Sequence, residues 1–182
     1  MDRFLLAQVT DMHIKAGGQL SYRVVDTEGS LARCVAHIQK LPQRPDAILF
    51  TGDLTDFGRP EEYENLGRLI APLPMPVYLM AGNHDEPDGL RKAFPGHAYL
   101  RQRSGHLDYV IDEHPVRIVA LDSIFRGSPP ERCAMDSSRG WRKRFPRTRK
   151  NPRSWPCTIR RSGPASAIWT TCASRIPKRS RR

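Results

Sequence analysis

The sequence predicts an α/β fold, a layered sandwich over residues 1–125 that is followed by an irregular basic tail over residues 126–182. Short apolar runs alternate with segments of helical periodicity in the first part, which is typical of layered α/β domains. Three of these apolar runs end in turns rich in polar side chains, as expected at the carboxyl ends of parallel strands. The tail shows neither helical nor strand periodicity.

Short apolar runs predict five strands. The first three cover residues 4–9, 47–50 and 77–80, and each is followed by a polar turn. Runs this short and this apolar indicate strands that are buried on both faces. Two further strands are predicted at residues 109–111 and 116–121, on either side of a turn that contains proline.

Helices are predicted between these strands. Apolar residues recur at helical spacing from Glu28 to Gln39, with Thr27 or Ser30 as the capping residue. Residues 59–62 mark a second helix start, because proline stands at the first helical position and acidic residues fill the first turn. A short third helix is predicted from Asp88 to Phe94.

The turns after the first three strands carry the candidate chemistry. The first holds Asp11 and His13, the second Asp53, and the third Asn83 and His84. Because ligand sites of open α/β sheets form beyond the carboxyl ends of the strands, the three turns are expected to meet in one place. Carboxylate, imidazole and amide oxygen are ligands for hard or borderline metal ions. Each motif alone is explained equally well as a turn or a helix cap, but the three together favour a metal site.

These motifs resemble the first three motifs of the calcineurin-like metallophosphoesterases. They are, in order, Asp11-x-His13, Gly52-Asp53 and Gly82-Asn83-His84-Asp85. Within that family the chain resembles the bacterial class III cyclic-nucleotide phosphodiesterases and their glycerophosphodiesterase relatives, over about residues 3–125. The resemblance implies the N-terminal half of a layered metallophosphoesterase sandwich. It also implies hydrolysis of a small phosphodiester, with 3',5'-cyclic AMP as the first candidate.

The resemblance assigns a role to each motif residue. It implies two divalent metal ions (Fe, Mn, Zn or Mg), held by Asp11, His13, Asp53 and Asn83, with Asp53 as the bridge. His84 would act on the substrate, by contacting the phosphate or by protonating the leaving oxygen, which suits the intrinsic pKa of imidazole.

Three further residues, outside the proposed ligand set, are interpreted as follows. Asp85 is expected to orient His84, and Asp56 is interpreted as a cap or turn residue. His37, on the first predicted helix, is interpreted as a surface residue or as a core residue whose polar atoms have hydrogen-bond partners.

The composition of the chain changes abruptly after residue 125. Residues 1–125 carry 13 basic and 17 acidic side chains, whereas residues 126–182 carry 17 and 2, and the whole chain has a net charge of +11. A segment of this kind buries too little apolar surface to offset chain entropy, so we expect disorder. The alternative is a basic tail with interspersed tryptophans that binds nucleic acid. The tail has no nucleic-acid-binding motif, so the sequence does not favour this partner.

The tail also lacks histidines that the resemblance requires. The family adds a His-His pair and a later Gly-His-x-His, but no histidine follows His114. When the codons of residues 152–172 are read in a frame shifted by one base, a choice of synonymous codons allows them to encode A-V-V-A-L-H-H-P-P-F-R-T-G-I-G-H-L-D-D-M. We therefore hypothesise a one-base shift between about Ile124 and Trp141, and expect the chain as written to be impaired. Resequencing the gene over this region tests the hypothesis.

The remaining features set broad limits on location and partners. No apolar stretch approaches the roughly 18 residues of a membrane span. A signal peptide would begin with basic residues followed by an apolar segment, whereas here Asp2 stands directly before the first strand. The four cysteines lack metal-site spacing. The sequence therefore predicts a cytoplasmic protein with a small phosphodiester as its partner and no membrane contact, and it leaves the oligomeric state open.

Overall fold

Strands and helices alternate through residues 5–101, which form one of two structural units. The computed structural model describes residues 4–101, 107–122 and 157–160, the last four through their backbone alone. The other unit contains residues 1–4 and 102–182. The predicted α/β fold is therefore confirmed.

A parallel three-stranded sheet organises the first unit. Its strands are β1 (Leu6–Thr10), β2 (Ala47–Thr51) and β3 (Val77–Met80), with β2 in the centre and parallel to both neighbours. Every residue of β2 is buried, which explains why its sequence is continuously apolar instead of alternating. The last residues of the three strands lie opposite one another in the register. The turns that follow them therefore start from one edge of the sheet.

Three helices follow the predicted positions to within one or two residues. They are α1 (Thr27–Lys40), α2 (Pro60–Ile70) and α3 (Pro87–Ala93), with short 3-10 turns at Ala16–Gly18 and Ala98–Arg101. Proline occupies the first position of α2, as predicted. The predicted apolar face of α2 is buried in the structure: Tyr63, Leu66, Leu69 and Ile70.

The capping residue of α1 differs from the prediction. Asp26 is the cap, and its Oδ1 accepts a hydrogen bond from the backbone N–H of Gly29 at 2.7 Å. The prediction of Thr27 or Ser30 was wrong, because both hydroxyls are used elsewhere. The Ser30 hydroxyl donates to the Asp26 carbonyl, and the Thr27 hydroxyl donates to the carbonyl of His13. The start of α1 is thereby joined to the first polar turn.

Glu28 links α1 to α2. Its carboxylate accepts hydrogen bonds from Asn65 Nδ2 at 2.9 Å and from Arg68 at 2.5 Å. These two bonds lower the pKa of Glu28 below its ordinary value. Because the folded-state pKa is lowered, the stability that these bonds contribute is present above the ordinary pKa and is lost as the pH falls through the lowered one.

The second unit contains a separate three-stranded sheet. Strand β4 (Tyr109–Ile111) pairs antiparallel with β5 (Ile118–Leu121), which confirms the two strands predicted here. Strand β6 (Cys157–Arg160) pairs parallel with β5 and lies within the tail for which disorder was predicted. The predicted boundary at residue 125 and the rest of the tail lie outside the described residues. No helix in the described part of the chain is long and apolar enough to cross a membrane.

Candidate metal centre

Backbone hydrogen bonds join the turns that follow the first three strands. Asp11 N–H donates to the carbonyl of Gly52 at 3.2 Å, and His13 N–H donates to that of Asp53 at 2.9 Å. Gly52 N–H in turn donates to the carbonyl of Met80 at the end of β3, at 2.9 Å. These bonds continue the sheet beyond its strands and hold the first two turns together at the edge where β3 ends.

The carboxylate of Asp53 lies between the first and the third turn. Asp53 is only 3% exposed. Its Oδ1 accepts a hydrogen bond from the backbone N–H of His84 at 3.2 Å, and its Oδ2 lies 3.7 Å from Nε2 of His13. The buried carboxylate therefore places one oxygen on the side of each neighbouring turn, and its role as a bridge stays a prediction.

Among the described residues, His13, Asp53 and His84 form a group of side chains that could hold a metal ion. One potential ligand atom from each lies within 4.8 Å of the other two. The two imidazole rings meet edge to face, with their centroids 4.7 Å apart. Because metal bonds to nitrogen and oxygen are about 2.0–2.2 Å, two ligands on opposite sides of an ion are about 4 Å apart. The group could therefore hold a divalent cation if its side chains moved closer together.

Three of the predicted ligands have a strained backbone, as do Tyr22 and Arg23 among the described residues. Asp11, His13 and Asp53 adopt positive φ angles of 55°, 44° and 42°. Such angles cost of order 1–3 kcal/mol each in residues with a side chain, and they persist where surrounding contacts impose them, often at functional sites. The strain and the carboxylate–imidazole group occupy the same turns.

Two of the predicted ligands lie beside this group. Asp11 is exposed, and its carboxylate accepts a hydrogen bond from the hydroxyl of Thr10. Asn83 is also exposed and directly precedes His84 in the third turn. Both start from the same edge of the sheet as Asp53, but their roles as ligands remain predictions. His84, predicted to act on the substrate, lies inside the group itself.

Asp56 lies in the second turn, as interpreted, and it also contacts both histidines. It is 8% exposed, with its carboxylate 2.5 Å from Nζ of Lys15 and 3.3 Å from Nδ1 of His13. Its backbone carbonyl accepts a hydrogen bond from Nδ1 of His84 at 2.7 Å. The available signal was spacing, because Asp56 and Lys15 each follow a predicted ligand within three residues.

Asp85 connects the second and third turns. It is 2% exposed, and its carboxylate accepts hydrogen bonds from the backbone N–H groups of Leu54, Thr55 and Gly82 at 2.7–3.1 Å. Burial raises the pKa of Asp85, and these hydrogen bonds oppose the rise. Nδ1 of His84 is held by the backbone carbonyl of Asp56, so the orientation of His84 by Asp85 stays a prediction.

Comparison with known protein families identifies the chain's relatives. The family model for calcineurin-like phosphoesterases matches residues 4–131, a range that contains all three strand-end turns. The chain belongs to this family.

Several relatives are identical to the chain at about a third of the aligned residues. The probable glycerophosphodiester phosphodiesterase GpdQ of Arcobacter nitrofigilis is 39% identical over 123 residues, which are 68% of this chain and 45% of that protein. The glycerophosphodiester phosphodiesterase GpdQ of Enterobacter lignolyticus is 32% identical over 68% of this chain, which corresponds to 45% of that protein. The 3',5'-cyclic adenosine monophosphate phosphodiesterase CpdA of Pseudomonas aeruginosa is 35% identical, over 69% and 44% respectively. The chain thus spans less than half the length of these relatives.

Proposed function

We propose that this calcineurin-like phosphoesterase chain carries a site for metal-dependent hydrolysis of phosphodiesters. The observation that carries the proposal is the convergence of His13, Asp53 and His84 from three different turns to within 4.8 Å. In this proposal Asp11, His13, Asp53 and Asn83 hold two divalent cations. The mixed oxygen and nitrogen donors are compatible with iron, manganese, zinc or magnesium.

The residues divide the chemistry between binding and proton transfer. Bound divalent cations supply Lewis acidity at the phosphoryl oxygens and an activated water. Asp53 would hold the cations through its carboxylate, which has one oxygen on the side of each neighbouring turn. The Asp56 carbonyl holds Nδ1–H of His84, so the opposite ring nitrogen, Nε2, is the atom that faces the substrate. It contacts the phosphate or gives a proton to the leaving oxygen when the ring carries protons on both nitrogens, and the neutral ring keeps the Nδ1 proton.

Cyclic nucleotides are the proposed substrates, with 3',5'-cyclic AMP as the first candidate. The support comes from the motif resemblance and from a relative named as a 3',5'-cyclic adenosine monophosphate phosphodiesterase. Other relatives are named as glycerophosphodiester phosphodiesterases. The two substrate classes are separated by comparing kcat/KM for cyclic AMP and for glycerophosphocholine under the same metal conditions.

Activity of the chain as written is proposed to be weak. The family ligands that would follow the third motif are absent from the sequence, since no histidine follows His114. Loss of direct ligands is expected to reduce metal affinity by more than the roughly 10–100-fold that loss of an outer hydrogen-bond partner costs. High metal concentrations are therefore appropriate in any assay.

Replacement of His84 tests this assignment of roles. We expect Mn²⁺-dependent hydrolysis of bis(p-nitrophenyl) phosphate that stops when a chelator is added. His84→Ala is expected to lower kcat by about 10²–10⁴-fold, as for loss of a general acid, while Mn²⁺ still binds.

The matched control is His37→Ala, because His37 is an exposed histidine of α1 away from the three turns. It is expected to leave kcat unchanged. Hydrolysis that proceeds equally well with chelator present would overturn the proposed function. Loss of Mn²⁺ binding together with kcat in His84→Ala would instead make His84 a ligand.

A further inference from the structure

The second turn carries an exposed aromatic ring directly beside the candidate metal centre. Phe57 follows Asp56, whose backbone carbonyl holds Nδ1 of His84 at 2.7 Å. The next residue, Gly58, packs so closely on the third turn that a Cβ there would lie 3.2 Å from the carbonyl oxygen of His84. Phe57 itself is 58% exposed. Its ring is therefore open to solvent next to the turn that carries His84.

Buried side chains fix the backbone that presents this ring. Oε2 of Glu62, a residue that is 2% exposed, accepts hydrogen bonds from the backbone N–H groups of Phe57 and Arg59 at 3.0 and 3.1 Å. The hydroxyl oxygen of Thr55 accepts a hydrogen bond from the backbone N–H of Gly58 at 3.1 Å. Gly58 has a positive φ of 68°, which glycine adopts in tight turns without strain. With three successive N–H groups held, the turn positions the Phe57 ring without burying it.

Two cations lie over the Phe57 ring. Nζ of Lys15 is 4.3 Å and Cζ of Arg59 is 4.9 Å from the ring centroid, both within the roughly 6 Å range of cation–π attraction. The Lys15 side chain is 12% exposed, and its ammonium lies 2.5 Å from the Asp56 carboxylate. It thus joins the ring to the inner part of the turn. Arg59 is exposed, so its guanidinium and the ring present two flat groups, one of them cationic, to solvent.

This pair of groups suits a planar heteroaromatic ligand. Nucleobases stack on aromatic side chains and on the planes of arginine guanidinium groups, and arginine adds a cation–π attraction. The turn owes its shape to Glu62 and Thr55, so the Phe57 ring is available to a ligand. An aromatic side chain held rigidly at a loop beside a site is typical of ligand recognition.

We propose that Phe57 and Arg59 form a nucleobase subsite, which makes the centre prefer phosphodiesters that carry a base. In this arrangement the base stacks on the ring and guanidinium while the phosphate of the same molecule lies at the group formed by His13, Asp53 and His84. The substrate preference rests on the proposed function, whereas contact with the base can be measured without hydrolysis.

The first test compares two phosphodiesters that release the same p-nitrophenolate. Thymidine 5'-phosphate p-nitrophenyl ester carries a base, and methyl p-nitrophenyl phosphate does not. In Phe57→Leu, which removes the ring but keeps an apolar side chain, the ratio of kcat/KM for the first substrate to that for the second is expected to fall about 5–150-fold, the usual effect of losing one base–aromatic stack. The fall is expected in KM. Phe57→Tyr keeps the ring and is expected to keep the ratio.

A pair of arginine variants tests the cationic half of the subsite. Arg59→Gln is expected to lower the same ratio about 2–5-fold, as for loss of an exposed cation–π contact. Arg44→Gln is the matched control, because Arg44 is an exposed arginine that precedes β2 and so lies towards the edge of the sheet opposite the three turns. It is expected to leave the ratio unchanged. An equal fall in both variants would reflect the charge of the chain alone and would remove Arg59 from the subsite.

The second test needs neither metal nor catalysis. Saturation-transfer difference NMR of cyclic AMP is recorded with the full chain in the presence of a chelator. The adenine protons are expected to receive more saturation than the ribose protons, because the base lies against Phe57. This difference is expected to disappear in Phe57→Leu and to persist in Phe57→Tyr.

An unchanged substrate ratio in Phe57→Leu, or adenine saturation that does not depend on the ring, overturns the subsite and leaves metal-dependent hydrolysis standing. Absence of Mn²⁺-dependent hydrolysis of both substrates, with ring-dependent adenine saturation retained, overturns the proposed function and leaves the subsite supported. If Phe57→Leu sediments as a smaller species than the unmodified chain, the ring belongs to a contact between copies of this chain, and the subsite is likewise overturned.

Discussion

Asp53→Asn is expected to abolish Mn²⁺-dependent hydrolysis and to weaken Mn²⁺ binding by more than about 100-fold, since even outer-partner losses reach that size. Asparagine keeps the shape of the side chain but has one acceptor oxygen and no charge. The side chain can no longer offer an oxygen both to the His84 turn and to the His13 turn, as the carboxylate does. Titration calorimetry with Mn²⁺ and hydrolysis of bis(p-nitrophenyl) phosphate measure the two effects.

Asp88→Asn is the matched control for this substitution. Asp88 is an exposed aspartate in the first turn of α3, and its carboxylate pairs with Arg91. The same chemical change is expected to leave affinity and hydrolysis unaltered there. Equal Mn²⁺ affinities in the two variants would remove Asp53 from the proposed centre.

Asp85→Ala is expected to lower the free energy of unfolding by about 3–9 kcal/mol, because it leaves three buried backbone donors without an acceptor at roughly 1–3 kcal/mol each. The donors are the N–H groups of Leu54, Thr55 and Gly82. A loss of this size is a large share of the roughly 5–15 kcal/mol that stabilises a typical domain. Urea denaturation followed by circular dichroism measures it.

Two further variants make the measurement on Asp85 decisive. Asp85→Asn keeps one acceptor oxygen and is expected to lose less stability than Asp85→Ala. Asp88→Ala, at an exposed position, is expected to change the unfolding midpoint little. An Asp85→Ala variant that unfolds at the same urea concentration as Asp88→Ala would contradict the connecting role assigned to this carboxylate.

The strands and their polar turns could be predicted because the relevant information is local. Buried parallel strands require continuous apolar runs, and β2 has such a run at residues 47–50. The parallel order of the strands then brings their carboxyl ends to one edge, so the meeting of the turns that carry His13 and Asp53 follows from topology.

The contacts of Asp56 could not be predicted because they depend on partners that are distant in the sequence. A turn aspartate and a buried aspartate look alike in sequence, and Asp56 is distinguished only by the approach of Lys15 and His13 from the first turn. The cap of α1 was missed for a related reason. Asp26, Thr27 and Ser30 are all residue types that commonly cap helices. The choice among them depends on the hydrogen bond that the Thr27 hydroxyl donates to the distant carbonyl of His13.

A diffraction experiment at the manganese absorption edge, on crystals of the chain soaked in Mn²⁺, tests the central claim most directly. The claim is that the turns after β1, β2 and β3 together hold a cation. The predicted result is an anomalous peak bounded by Oδ2 of Asp53 and Nε2 of His13, on the side of the sheet edge where His84 lies. A peak at other residues would contradict it. So would the absence of a peak beside Asp53 in Mn²⁺-soaked crystals that diffract well.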